Sequence, residues 1–106
     1  MKILRIPSRG EPYAADIKNS LAAMQNEVGG YIEVVPISNK HRLVVNEEGK
    51  LGPFPINVNA TKLFRAAIGT LDFIMGDAFV TCFDGGEDFT DMTSDAIEAL
   101  IEEMKG

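Results

Sequence analysis

The chain has 106 residues, 45 % of them apolar and 25 % charged, with a net charge of −6. That profile fits one soluble globular domain, 1–106, long enough to bury a core without staples. No apolar run approaches the ~18 residues of a membrane span. Met1 to Pro7 alternates and breaks, unlike a signal peptide, and the single cysteine, Cys82, excludes an intramolecular disulfide and fits a reducing cytoplasm.

Lys2 to Ile6 reads as a short strand ended by Pro7. After a polar loop, Pro12 is placed to open a helix, where its missing N–H does no harm. Ile17, Leu21, Met24 and Val28 follow at helical spacing, and Gly29-Gly30 ends that helix. Tyr31 to Ser38 is rich in β-branched residues and reads as a strand, with Pro36 marking an edge or an end. His41 to Val45 reads as a second strand. Asn46-Glu47-Glu48-Gly49 then reads as a tight turn with glycine at a positive-φ position, and Lys50-Leu51 as the start of a returning strand.

Pro53 and Pro55 impose an extended path. Asn59 is the expected cap of a second helix, whose apolar side comprises Ala60, Leu63, Phe64, Ala67 and Ile68 and which Gly69 stops. A sharp approach at Met75-Gly76 leads into a strand from Ala78 to Phe83, and Asp84 to Asp88 is loop. Thr93 caps a last helix, with Asp95 in its first turn and Ile97, Leu100, Ile101 and Met104 as its buried stripe. The expected fold is α+β, a small and mostly antiparallel sheet with about three helices packed on it, in the order β-α-β-β-α-β-α.

Charge is distributed unevenly. Between Ala66 and Met104 there are ten carboxylates and no Lys, Arg or His. An acidic surface repels nucleic acid and anionic membrane and attracts basic proteins, so neither nucleic acid nor membrane is an expected direct partner. Asp91, Asp95, Glu98 and Glu102 recur every three or four residues opposite the last helix's apolar stripe. Such a row is most often an ordinary solvated helix face, and it is also a candidate face for a basic protein.

Chemistry is poorly signalled. Asp84, Gly86 and Asp88 resemble the start of a calcium loop, but Phe89 stands where that loop needs glycine and Asp95 where it needs glutamate. One His and one Cys cannot build a zinc site. No Gly-rich phosphate loop or nucleophile elbow is present. No catalytic residues, metal ligands or cofactor are therefore expected. Lys40, His41 and Arg42, with Arg5, Arg9 and Lys50, form a sparse basic patch, too thin for duplex DNA; ordinary surface charge is the expected reading, with a nucleotide-sized anion as the alternative.

Several passages together resemble one family. They are Glu11-Pro12-Tyr13, the run from Leu21 through Gln25, Val28, Gly29, Gly30, Tyr31 and Ile32 to Glu33, and Asn46-Glu47-Glu48-Gly49-Lys50-Leu51. Pro55-x-Asn57, Ile74-x-Gly76-Asp77-Ala78-Phe79 and Glu87-Asp88-Phe89 complete the set. The resemblance is to small proteins known only as a domain of unknown function, common in phages, plasmids and conjugative elements of Gram-positive gut bacteria. Gly52-Pro53-Phe54-Pro55 carries one proline more than the family's pattern. The resemblance brings no catalytic residues; it implies an accessory protein that counters host defence by binding a host protein or trapping a small molecule.

The expected activity is therefore non-enzymatic binding, with an uncharacterised enzyme as a further alternative. Loop residues held on a rigid scaffold are the expected site: Asn46, Glu47, Glu48 and Lys50 of the turn, Asn57 after Pro55, and Tyr13 as an aromatic anchor. For a small ligand such as a nucleotide, Lys50, Arg42 and Asn46 are the expected lining. Oligomeric state is not encoded in any pattern of this chain.

Overall fold

The structure is a computed structural model describing residues Met1–Gly106. The strands are β1 (Lys2–Ile6), β2 (Tyr13–Asp16), β3 (Ile32–Pro36), β4 (His41–Asn46), β5 (Ala78–Phe83) and β6 (Phe89–Thr90). The helices are α1 (Leu21–Val28), α2 (Val58–Ile68) and α3 (Ser94–Lys105). All strands join one antiparallel sheet in the order β2-β1-β5-β4-β3, with β6 pairing the far end of β5. The α+β expectation holds. No helix is long and apolar enough to cross a membrane.

Strand alternation supplies two cores. Leu4, Ile6, Leu43, Val45, Ala78 and Val80 face one side, where Ala60 and Leu63 of α2 and Ile97 and Met104 of α3 cover them. Ile3, Val44 and Phe79 face the other side, against Met24 and Val28 of α1. Phe79 is fully buried between α1 and the sheet. Truncating such a side chain to alanine costs about 3–5 kcal/mol.

The first helix is shorter than its sequence suggests. Tyr13–Asp16 is a strand, with Arg5 opposite Tyr13 and Lys2 opposite Asp16. Pro12 therefore precedes a strand and does not open a helix. Pairing β2 satisfies the outer peptide groups of β1, a gain that local periodicity does not register. The helix begins instead after Ser20, whose Oγ accepts the Ala23 N–H at 3.1 Å. Leu21 consequently sits at the helix tip and is 57 % exposed, outside the expected stripe.

Four further corrections concern residues 49–68. Gly49 does not have a positive φ, and Gly49–Leu51 is a short 3₁₀ turn and not a returning strand. Glycine is required there by proximity, since a Cβ would lie 2.9 Å from the carbonyl oxygen of Met75. The cap of α2 is Asn57, not Asn59, and the helix ends with Ala67 and Ile68 exposed. Elsewhere the expected punctuation holds. Gly29 and Gly69 adopt left-handed caps, and Thr93 Oγ1 accepts the Ala96 N–H at the start of α3.

Candidate functional site

The Asn46–Leu51 turn projects beyond the end of β4 toward the Asp72–Met75 loop. Between them opens a cleft of about 220 Å³. Glu33 and Val35 of β3 and Val45 of β4 line the sheet side, and Phe64 of α2 and Phe73 line the opposite side. Two devices hold the 69–75 loop in place. Arg65 of α2 donates from Nε to the Asp72 carbonyl (2.9 Å) and from Nη2 to the Leu71 carbonyl (2.7 Å). Thr61 Oγ1 accepts the Ile74 N–H at 2.9 Å.

Charge in the cleft is lopsided. Glu33, Glu47, Glu48 and Asp72 contribute four carboxylates against one ammonium, that of Lys50. Lys50 is already engaged, forming an ion pair with Asp72 and standing 5.4 Å from the centre of the Phe73 ring. The Asp72 carboxyl is held below its ordinary pKa by the hydrogen bond from Lys50, and next by that of the Phe73 N–H. Glu33, Glu47 and Glu48 are exposed and form no ion pair. The cleft thus combines apolar walls with three uncompensated negative charges at its rim.

The residues expected from the sequence divide sharply. Glu47, Glu48 and Lys50 do line the cleft. Asn46 borders it but is 92 % buried in structural work, since its exposure is 8 %. Its Nδ2 donates to the Val28 carbonyl at the end of α1 (3.0 Å), and its Oδ1 accepts the Glu48 N–H (2.8 Å). Asn57 is wholly buried. Its Oδ1 caps α2 through the Ala60 N–H, while Nδ2 donates to the carbonyls of Ile6 (2.8 Å) and Gly76 (2.9 Å). A partner cannot reach it, so Asn57 is corrected from a binding residue to a structural one.

Tyr13 lies on β2, where its hydroxyl accepts from Arg5 Nη1 at 3.1 Å and its ring lies under the guanidinium. It does not line the cleft. Arg42 is absent from the cleft as well. Its guanidinium covers the Phe83 ring at 4.7 Å and donates to the Ser38 carbonyl. The expected basic patch is therefore dispersed, with Arg5, Arg42 and Lys50 each occupied by a different partner.

On α3, Asp95, Glu98 and Glu102 are exposed, but Glu102 pairs with Lys105 at 3.4 Å. Asp91 precedes the helix and accepts the Lys2 N–H at 2.8 Å, so it tethers β1 and does not extend the helical row. Glu33, Phe64, Asp72 and Phe73 also line the cleft, beyond the residues expected from the sequence. A usable signal was present in the loop Gly69-Thr70-Leu71-Asp72-Phe73, whose Leu71 (87 % exposed) and Phe73 have no periodicity to bury them.

A family profile described as domain of unknown function (DUF3846) matches residues 1–105. The chain belongs to the DUF3846 family. No curated protein and no solved structure matches it. Membership covers the entire sheet and all three helices, so the cleft is built wholly from DUF3846 residues.

Proposed function

We propose that this DUF3846 protein is a non-enzymatic binding protein whose partner presents basic side chains to an acidic surface, the cleft beside the Asn46–Leu51 turn. The observation that carries this reading is the set of three unpaired carboxylates, Glu33, Glu47 and Glu48, beside the apolar walls of Val35, Phe64 and Phe73. A cationic side chain with an aliphatic stem satisfies both features at once. A nucleotide-sized anion meets four carboxylates and a lysine that is already paired, so the electrostatics favour a basic protein over a small anionic ligand.

The biological setting follows from the resemblance alone. An accessory gene of a phage or mobile element of Gram-positive bacteria, acting in the host cytoplasm, gains by occupying a host protein, and defence components are natural targets.

The test is affinity capture from such a host with wild-type protein and two charge-reversed variants, Glu33→Lys/Glu47→Lys for the cleft and Asp95→Lys/Glu98→Lys/Glu102→Lys for α3. A basic partner held by wild type and lost only from the cleft variant supports the reading. Loss only from the α3 variant transfers the function to that helix. A nucleotide that raises the melting temperature, by mass action on the native state, overturns the protein-partner reading in favour of a ligand.

A further inference from the structure

Strand β3 ends the sheet, and its pairing with β4 determines which of its peptide groups remain free. The Ile37 N–H donates to the His41 carbonyl (3.0 Å) and the Glu47 N–H to the Tyr31 carbonyl (2.9 Å). With Glu33 opposite Val45 and Val35 opposite Leu43, the odd-numbered residues hold the ladder to β4. Ile32, Val34 and Pro36 therefore turn their peptide groups outward. Pro36 has no N–H, which leaves an open edge with two donors, Ile32 and Val34, and three carbonyl acceptors.

The side chains between these positions, Glu33 and Val35, are the ones that line the cleft. Any strand added to this edge sends alternate side chains to that same face. We propose that the partner binds by strand addition, as an extended segment hydrogen-bonded to the outer edge of β3. It places a lysine or arginine beside Glu33 and Glu47 and an aliphatic residue two positions along, against Val35. This deepens, and rests on, the reading of the cleft as a seat for cationic side chains. Main-chain hydrogen bonds supply the affinity and the cleft supplies the selectivity. Charge complementarity selects the occupant: the edge carries Glu33 and is flanked by Glu47, with no cation paired to either.

The probe is a capped eight-residue peptide in which lysine and valine alternate along one face of the extended chain and threonine fills the other. It is titrated into the full-length protein labelled with ¹⁵N. Slowed amide exchange at Ile32 and Val34, with about tenfold weaker binding when one edge-facing peptide nitrogen is methylated, supports strand addition. Val34→Pro is expected to lose the peptide while keeping the native amide spectrum, because it deletes an outward N–H and leaves the β4 ladder whole. If that variant unfolds, the methylated peptide alone decides.

Binding that is lost in Glu33→Lys/Glu47→Lys but indifferent to peptide methylation overturns strand addition and leaves the cleft reading standing. Absence of binding by the lysine peptide, with the fold intact, overturns both. Protection of Ile32 and Val34 that grows with protein concentration in the absence of peptide overturns the proposal in favour of a second copy at this edge.

Discussion

Arg5 on β1 and Glu27 on α1 meet in a two-point ion pair across 22 residues of sequence, with Nε–Oε2 at 2.9 Å and Nη2–Oε1 at 2.5 Å. The side chains are 28 % and 15 % exposed. Because the guanidinium also rests on Tyr13, a single arginine fastens α1 to the two strands at one edge of the sheet. Half-buried bidentate pairs fall between the small worth of exposed pairs and the large cost of breaking buried ones. Arg5→Ala is expected to destabilise by about 1–3 kcal/mol in denaturant melts, and a double-mutant cycle with Glu27→Gln to show coupling of about 1 kcal/mol. Zero coupling would show that Arg5 acts through packing on Tyr13 alone.

Asn57 joins α2, β1 and the loop before β5 through one side chain. Asn57→Ala removes a helix cap and strips the side-chain donor from two buried carbonyls, an expected loss of about 2–4 kcal/mol. Asn57→Asp keeps the cap acceptor but sets a carboxylate against both carbonyls, so it is not expected to rescue. Equal stability of the aspartate variant and wild type at neutral pH would remove the donor role.

Gly49 sits under the carbonyl of Met75. A methyl group there has to push the 72–75 loop away, because the contacted atom is backbone. Gly49→Ala is expected to destabilise by about 1–3 kcal/mol and to shift the amide signals of Asp72 to Met75. An unperturbed spectrum in that loop would contradict the close approach.

His41 is held below its ordinary pKa of 6.5, first by burial and then by Lys40 and Arg42. Ser38 Oγ accepts the His41 N–H at 3.1 Å and stands 3.1 Å from Nδ1, an arrangement suited to a neutral ring that accepts the hydroxyl proton. The native state thus prefers neutral histidine. Its stabilising contribution is complete above the unfolded value, about 6.5, and is lost as pH falls through the lower folded value. Melting temperature should therefore drop on acidification through this window, and His41→Gln should flatten the drop. A variant that tracks wild type at every pH would place the dependence elsewhere.

Local chemistry was legible wherever one residue decides one turn. Gly29, Gly69 and Thr93 end or begin helices because their caps depend on a glycine φ or on a hydroxyl three residues from its donor. Strands β4 and β5 were equally plain, since both of their faces are buried over most of their length and their composition is correspondingly apolar. Asn59 was the wrong choice beside Asn57 for a non-local reason: Asn57 also serves carbonyls on β1 and at Gly76. Tyr13–Asp16 was misread as helix because what makes it a strand is the unpaired edge of β1.

The sequence by itself determined the α+β class, the caps at Gly29, Gly69 and Thr93, most strands and the acidic second half, because these follow from spacing, composition and single-residue conformational preference. Only the tertiary structure decided that Asn46 and Asn57 are buried, that Asp91 serves β1, and that Glu33, Glu47, Phe64 and Phe73 share a cleft. Those relationships bring together residues from four separate stretches of chain. Satisfying buried carbonyls and closing a sheet edge are tasks that distant segments complete for one another.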